Sequence, residues 1–201
     1  MPPAFSAATL TPRGVDLADA THRGRRAVHV VESQMGAPGV EPLAHLPGLF
    51  EDGEIECWLA ADRRPDADPD MRGFAGLAFR VQEGSARFEL LFVRPTNARA
   101  DDQLRRNHTT QYASLPDWPW HRLRGESPGV YESYADMEPG AWTRLRVVVR
   151  GERAELFVGA SSQPALLVKD LKMGHARGGV ALWIGTGTDA YFADVVVRPR
   201  S

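Results

Sequence analysis

The chain has 201 residues, 43% of them hydrophobic and 25% charged, with a formal net charge of -2 and a pI near 6.3. This length supports one sizeable core, and the balance of charge excludes attraction to nucleic acid or an anionic membrane through overall electrostatics. A single cysteine, Cys57, excludes an internal disulfide framework.

No apolar run in the first twenty residues is long enough for a secretory signal and no later one for a membrane span, so the expectation is a cytoplasmic protein. Met1 to Ala4 reads as a loose tail. From Phe5 to Thr21, Pro12, Gly14 and Asp16 cut short apolar runs and no element is predicted. Ala27 to Val31 (A-V-H-V-V) predicts a β-branched strand in which His29 is a strand residue rather than a ligand. Gly36, Pro38, Gly39, Pro42, Pro47 and Gly48 predict a long loop. Gly53 to Ala61 alternates, with Ile55, Cys57 and Leu59 on one face and Glu54, Glu56 and Trp58 on the other, the pattern of a half-buried strand. Asp66, Asp68 and Asp70 share the spacing of a calcium loop, but Met71 and Leu77 stand where that loop needs glycine and glutamate. A solvated acidic loop is the reading, with no metal or cofactor expected.

Gly73 to Gln82 and Ala86 to Arg94 predict a hairpin turning at Gly84-Ser85. That turn pairs Val81 with Phe88, Phe79 with Leu90 and Leu77 with Phe92 on one apolar face, and sets Arg80 opposite Glu89 on the other. Arg94 to Arg124 then reads as neither helix nor plain strand. It gathers six arginines, His108 and His121, the amides of Asn97, Gln103, Asn107 and Gln111, and the rings of Tyr112, Trp118 and Trp120. Planar donors beside flat rings suit hydroxyl-rich or anionic ligands.

Gly129 to Tyr134 resumes a strand, and Pro139-Gly140 turns the chain. Leu145, Val147 and Val149 alternate with Arg144, Arg146 and Arg150, and a turn at Gly151-Glu152 brings Ala154, Leu156 and Val158 opposite them. Pro164 to Met173 fits a short helix or a strand, Gly178 to Gly185 a central strand apolar on both faces, and Ala190 to Val197 a last strand ended by Pro199.

Many strands with short turns predict an all-β, two-sheet antiparallel β-sandwich over residues 1–201, a single domain with a long inserted segment at about 94–128. The succession G-F-A-G-L-A-F-R, F-E-L-L-F, G-V-Y-E, P-G-A-W-T-R-L-R-V-V-V-R-G-E-R-A-E-L-F-V, G-G-V-A-L-W and A-Y-F-A-D-V-V-V resembles the concanavalin A-like lectin/glucanase jelly roll. Within it, the sequence is most similar to the bacterial 3-keto-disaccharide hydrolase domain family. The resemblance spans about Gly53 to Arg198 and implies a glycan groove on a concave sheet face with Arg80 and Glu89 in it.

The expected function is carbohydrate binding or glycoside processing. Ligand contacts would come from Arg80, Arg94, Asn97, Arg106, Asn107, Gln111, Tyr112, Trp118 and Trp120, and a hydrolytic pair from Glu89, Glu132 and Asp102 with His108 or His121 as acid/base. The partner is then a glycan or small sugar, with no nucleic acid and no membrane. The alternative is a non-enzymatic interaction or oligomerisation module, with Trp118 and Trp120 buried in a homodimer, because interfaces favour the same residue types.

Overall fold

The computed structural model describes residues 5–200, so the tail at Met1 to Ala4 lies outside the described residues. Among the described residues, fourteen strands form two seven-stranded antiparallel sheets. The first runs, in spatial order, β1 (Thr11–Arg13), β4 (Leu43–Phe50), β13 (Gly178–Ile184), β6 (Ala75–Val81), β7 (Phe88–Val93), β8 (Thr110–Leu115) and β9 (Glu132–Ser133). The second runs β12 (Leu166–Val168), β11 (Arg153–Val158), β10 (Thr143–Arg150), β5 (Gly53–Arg63), β14 (Thr188–Pro199), β3 (Arg25–Glu32) and β2 (Val15–His22). Three short helices, α1 (Pro95–Ala98), α2 (Gln103–Asn107) and α3 (Trp120–Glu126), lie between β7 and β9.

The sheets face each other across a core that draws Leu77, Phe79, Leu91, Val93 and Tyr112 from the first, and Ile55, Cys57, Leu59, Leu145, Val147 and Phe192 from the second. Burial there pushes the Cys57 thiol up, so it packs as a small hydrophobe. The alternation read in β5 and β10 holds because their outer face is polar. Arg144 grips Glu56 at 2.7 Å, and Arg25 lies 4.3 Å above the ring of Trp58. The β10–β11 register is also as read, with Leu145 opposite Val158 and Val149 opposite Ala154. β13 is a central strand between β4 and β6, and Pro199 ends β14.

Four expectations are corrected. Residues Phe5 to Thr21 contain β1 and most of β2. The loop predicted through Gly48 gives way to β4 at Leu43; its Pro47 and Gly48 are tolerated because β1 pairs only with Leu43 to His45, leaving the rest an edge on that side. The segment from Arg94 to Arg124 is no irregular surface, since it holds α1, α2, β8 and the start of α3. β8 is a full member of the first sheet, and Asp102 caps α2 by accepting a hydrogen bond from the Arg105 amide at 3.1 Å.

The most consequential correction concerns the β6–β7 hairpin. Next to the turn the predicted register holds, with the Gln82 amide donating to Arg87 O at 2.9 Å. Arg80, at φ 52, then takes the left-handed region and absorbs one residue, so that Phe79 faces Glu89 and Ala78 faces Leu90. A one-residue slip turns every later side chain to the other face. Leu91 and Val93 therefore enter the core, while Phe88, Leu90 and Phe92 face outward. Gly178 permits the bulge, since a Cβ there would stand 2.5 Å from backbone atoms of Arg80 and Val81.

The bulge sends the Arg80 side chain into the end of the sandwich, where it is fully buried. Its guanidinium donates to Glu51 O (3.0 Å), Gly151 O (2.7 Å), Gly174 O and Asp52 Oδ1 (3.0 Å), joining the β4–β5 turn, the β10–β11 turn and the loop before β13. Asp52 also accepts from the Gly151 amide. Removing the cation leaves these partly buried acceptors without their shared donor. Arg80→Met is expected to lower the unfolding free energy by about 3 kcal/mol in urea denaturation; a loss below about 1 kcal/mol would mean that the turns hold without it.

Candidate functional site

The outward shift of β7 builds a surface that its sequence conceals. Across the outer face of the first sheet, backbone pairing sets Leu43, Trp183, Gly76, Phe92, Gln111 and Glu132 in one row. Gly76 is the gap in that row: the Phe92 and Trp183 rings meet at 5.1 Å, and a Cβ at Gly76 would stand 2.5 Å from Phe92 Cα. The neighbouring row, Ala181, Ala78, Leu90 and Ala113, is mostly alanine and leaves room above it.

The result is a cavity of about 510 Å³, within the range of small-molecule sites. Phe74, Leu90, Phe92, Leu115, Trp120 and Trp183 supply its apolar walls, and Glu41, Asp70, Arg72 and His121 its ionisable groups. Trp183 is fixed by its indole N–H, which donates to Glu41 Oε2 at 3.1 Å. Trp120 opens α3 after Pro119.

Behind the aromatic wall lies a polar cluster. Arg94 is 2% exposed, and its guanidinium stands 4.7, 4.8 and 5.1 Å from the ring centres of Phe74, Phe92 and Trp120. It donates to His108 O (2.9 Å) and Gln111 Oε1 (3.2 Å). Burial, with the charge of Arg124 second, pushes Arg94 down to about 9, so it stays protonated at neutral pH. Arg124 lies 4.8 Å from the Trp120 ring centre and holds Glu132 at 2.7 Å, while His108 Nε2 approaches Glu132 at 3.2 Å. Burial, then Arg124, pushes His108 down from its ordinary range, with Glu132 acting in the opposite direction.

The residues expected to bind ligand are thus dispersed. Trp120 lines the cavity. Arg94, Gln111, His108 and Glu132 converge behind it, and Asn97 adjoins them through a 3.4 Å hydrogen bond to His108 O. Arg106 reaches the Tyr134 hydroxyl, and Asn107 accepts from Gln103 at 2.7 Å on the exposed side of α2. Trp118 is covered by Arg122, whose guanidinium is 3.8 Å from its ring centre. The Asp66 carboxylate is taken by Arg64 at 2.8 Å, and Asp68 accepts from the Asp70 amide at 2.7 Å.

Arg80, Glu89 and Tyr112, expected in the groove, lie inside the sandwich instead. Once the register slips, Glu89 points inward, where Tyr112 Oη donates to it at 2.7 Å and the Met173 amide at 2.8 Å. Sequence reading missed Phe74, Phe92, Trp183, Glu41, Asp70 and Arg72. The five-residue apolar run from Val180 to Ile184 carried the only signal, a tryptophan in a strand apolar on both faces.

Burial pushes the Glu89 carboxyl up, opposed by its hydrogen bonds from Tyr112 and Met173. The folded chain therefore holds this proton more tightly than the unfolded chain, and the stability it contributes is complete below the ordinary carboxylate range and lost as pH rises through the raised value. The difference in unfolding free energy between wild type and Glu89→Gln is expected to fall as pH rises from about 4. A flat difference from about pH 4 to 8 would contradict this.

No family model matches the chain. No curated protein matches it either. Solved structures share its shape. The carbohydrate-binding module CBM66 from Bacillus subtilis is 13% identical, with 93% of each chain covered and a TM-score of 0.64. A Bacillus subtilis protein of unknown function with a galectin-like fold is 13% identical over 94% of this chain and 88% of that one, at 0.59. A candidate glycosyl hydrolase from Parabacteroides distasonis is 11% identical over 90% and 86%, at 0.51. At such identities the likeness is one of fold, a two-sheet antiparallel β-sandwich of the concanavalin A-like jelly-roll type.

Proposed function

We propose that this jelly roll binds carbohydrate in the aromatic cavity on the outer face of its first sheet. The observation that carries the reading is the cavity itself, with Trp120, Trp183, Phe74 and Phe92 around one space and carboxylates at its edge. Flat rings match the C–H faces of a pyranose, and carboxylate oxygens accept from its hydroxyls. The similarity in shape to a carbohydrate-binding module supports the reading at the level of fold.

Binding without hydrolysis is the preferred form. Glycoside hydrolysis needs two carboxyl groups flanking one bond. Glu89 is held by Tyr112 and Met173 inside the sandwich, and Glu132 is 5% exposed at its side chain and held by Arg124. Neither is among the residues lining the cavity, and of the two carboxylates that do line it Asp70 is paired with Arg72 and Glu41 accepts from the Trp183 indole.

The test is a calorimetric and thermal-shift screen against mono- and disaccharides, since a ligand selective for the folded chain raises its melting temperature. Trp120→Ala is expected to weaken the best ligand by about tenfold or more while the chain stays folded. Binding unaffected by Trp120→Ala and by Trp183→Phe would place the site elsewhere, and no binding by any sugar would remove the reading.

A further inference from the structure

From the charges on the walls of the cavity we infer that it takes a neutral pyranose and rejects acidic sugars, with Glu41 as the residue that enforces the choice. This rests on the carbohydrate reading above and names its substrate class. The arginine-rich segment left an anionic ligand open beside a hydroxyl-rich one. Yet none of the six arginines between Arg94 and Arg124 lines the cavity. Arg94 donates to His108 O and Gln111, Arg99 to Asp136 and Glu138, Arg122 to Glu126, and Arg124 to Glu132.

The ionisable groups that do line it are Glu41, Asp70, Arg72 and His121. Arg72 and Asp70 are matched, with Nη2 of Arg72 3.3 Å from Asp70 Oδ1 and its Nη1 on Pro69 O. Glu41 is different. Among the described residues its carboxylate forms no ion pair, and its one side-chain hydrogen bond, at Oε2, comes from the neutral indole N–H of Trp183. Its other oxygen remains an acceptor beside a ring wall. A hydroxyl donates to such an oxygen, whereas a second carboxylate would meet it as a like charge.

Arg94 and Arg124 do not reverse this. Their guanidinium groups lie against the rings of Phe92 and Trp120, Arg94 is almost wholly buried, and Glu132 offsets one of the two charges. Their field reaches the cavity only through the aromatic wall, while Glu41 can touch what enters.

The experiment compares neutral hexose disaccharides of the gluco, galacto and manno series with their C6-oxidised uronate counterparts by titration calorimetry at neutral pH and low salt. The neutral parent is expected to bind and its uronate to bind about tenfold more weakly or worse. Glu41→Gln keeps an oxygen to accept from Trp183 and is expected to bring the uronate close to its parent. A uronate that binds as tightly as its parent, or a difference unchanged in a folded Glu41→Gln, overturns the inference and leaves the carbohydrate reading standing. Failure of both sugar classes to bind overturns both. Should Glu41→Gln not fold, salt dependence in the wild type decides: the difference narrows on raising salt from about 0.05 to 0.5 M if it is electrostatic, and an unchanged difference refutes it.

Discussion

Much of this molecule follows from the need to house one guanidinium. Arg80 sits in a strand whose neighbours on both sides are apolar, and neither a flat solvated position nor an unpartnered burial is open to it. The chain bends at that residue, sends the side chain to four acceptors at the end of the sandwich, and so displaces the β6–β7 register by one. Phe88, Leu90 and Phe92 become the outer face of the sheet, and Glu89 becomes an interior acceptor for Tyr112 and the Met173 amide. The cavity is a downstream product of that displacement, because Phe92 reaches Trp183 only in the shifted register.

A second cation organises the wall of the cavity. Three of its rings, Phe74, Phe92 and Trp120, pack on Arg94, which is held in turn by the His108 carbonyl and Gln111. Cation–π contact in a desolvated setting is stronger than at a surface, so the rings are set before any ligand arrives. The arginine-rich segment thereby shapes the cavity indirectly: the donors of Arg94, Arg99, Arg122 and Arg124 are spent on the protein, and its contribution to the cavity is the placement of aromatic surface.

How much was legible in the sequence depended on solvent. β5, β10 and β11 each show one apolar and one polar face, and their alternation gave strand, register and turn. β6, β7 and β13 are covered on both faces, so their residues give no contrast from which to read a face, and a bulge written only as F-R-V could not be seen. β8 was hidden for the same reason inside a segment rich in arginine, where T-T-Q-Y-A-S-L shows no polar side. The site suffered likewise. Donor-rich residues were conspicuous, but burial turned them inward, while Trp183 stood in an apolar run and Glu41 in a loop marked only by proline and glycine.

The claim that the aromatic cavity receives the sugar is tested most directly by the indole N–H signals of the five tryptophans in a proton–nitrogen NMR titration with a neutral disaccharide. Trp120 and Trp183 line the cavity, whereas Trp58 and Trp142 line a separate groove beside Arg144. The account predicts saturable shifts at Trp120 and Trp183 with Trp58 and Trp142 unmoved. Shifts confined to Trp58 and Trp142 would contradict it.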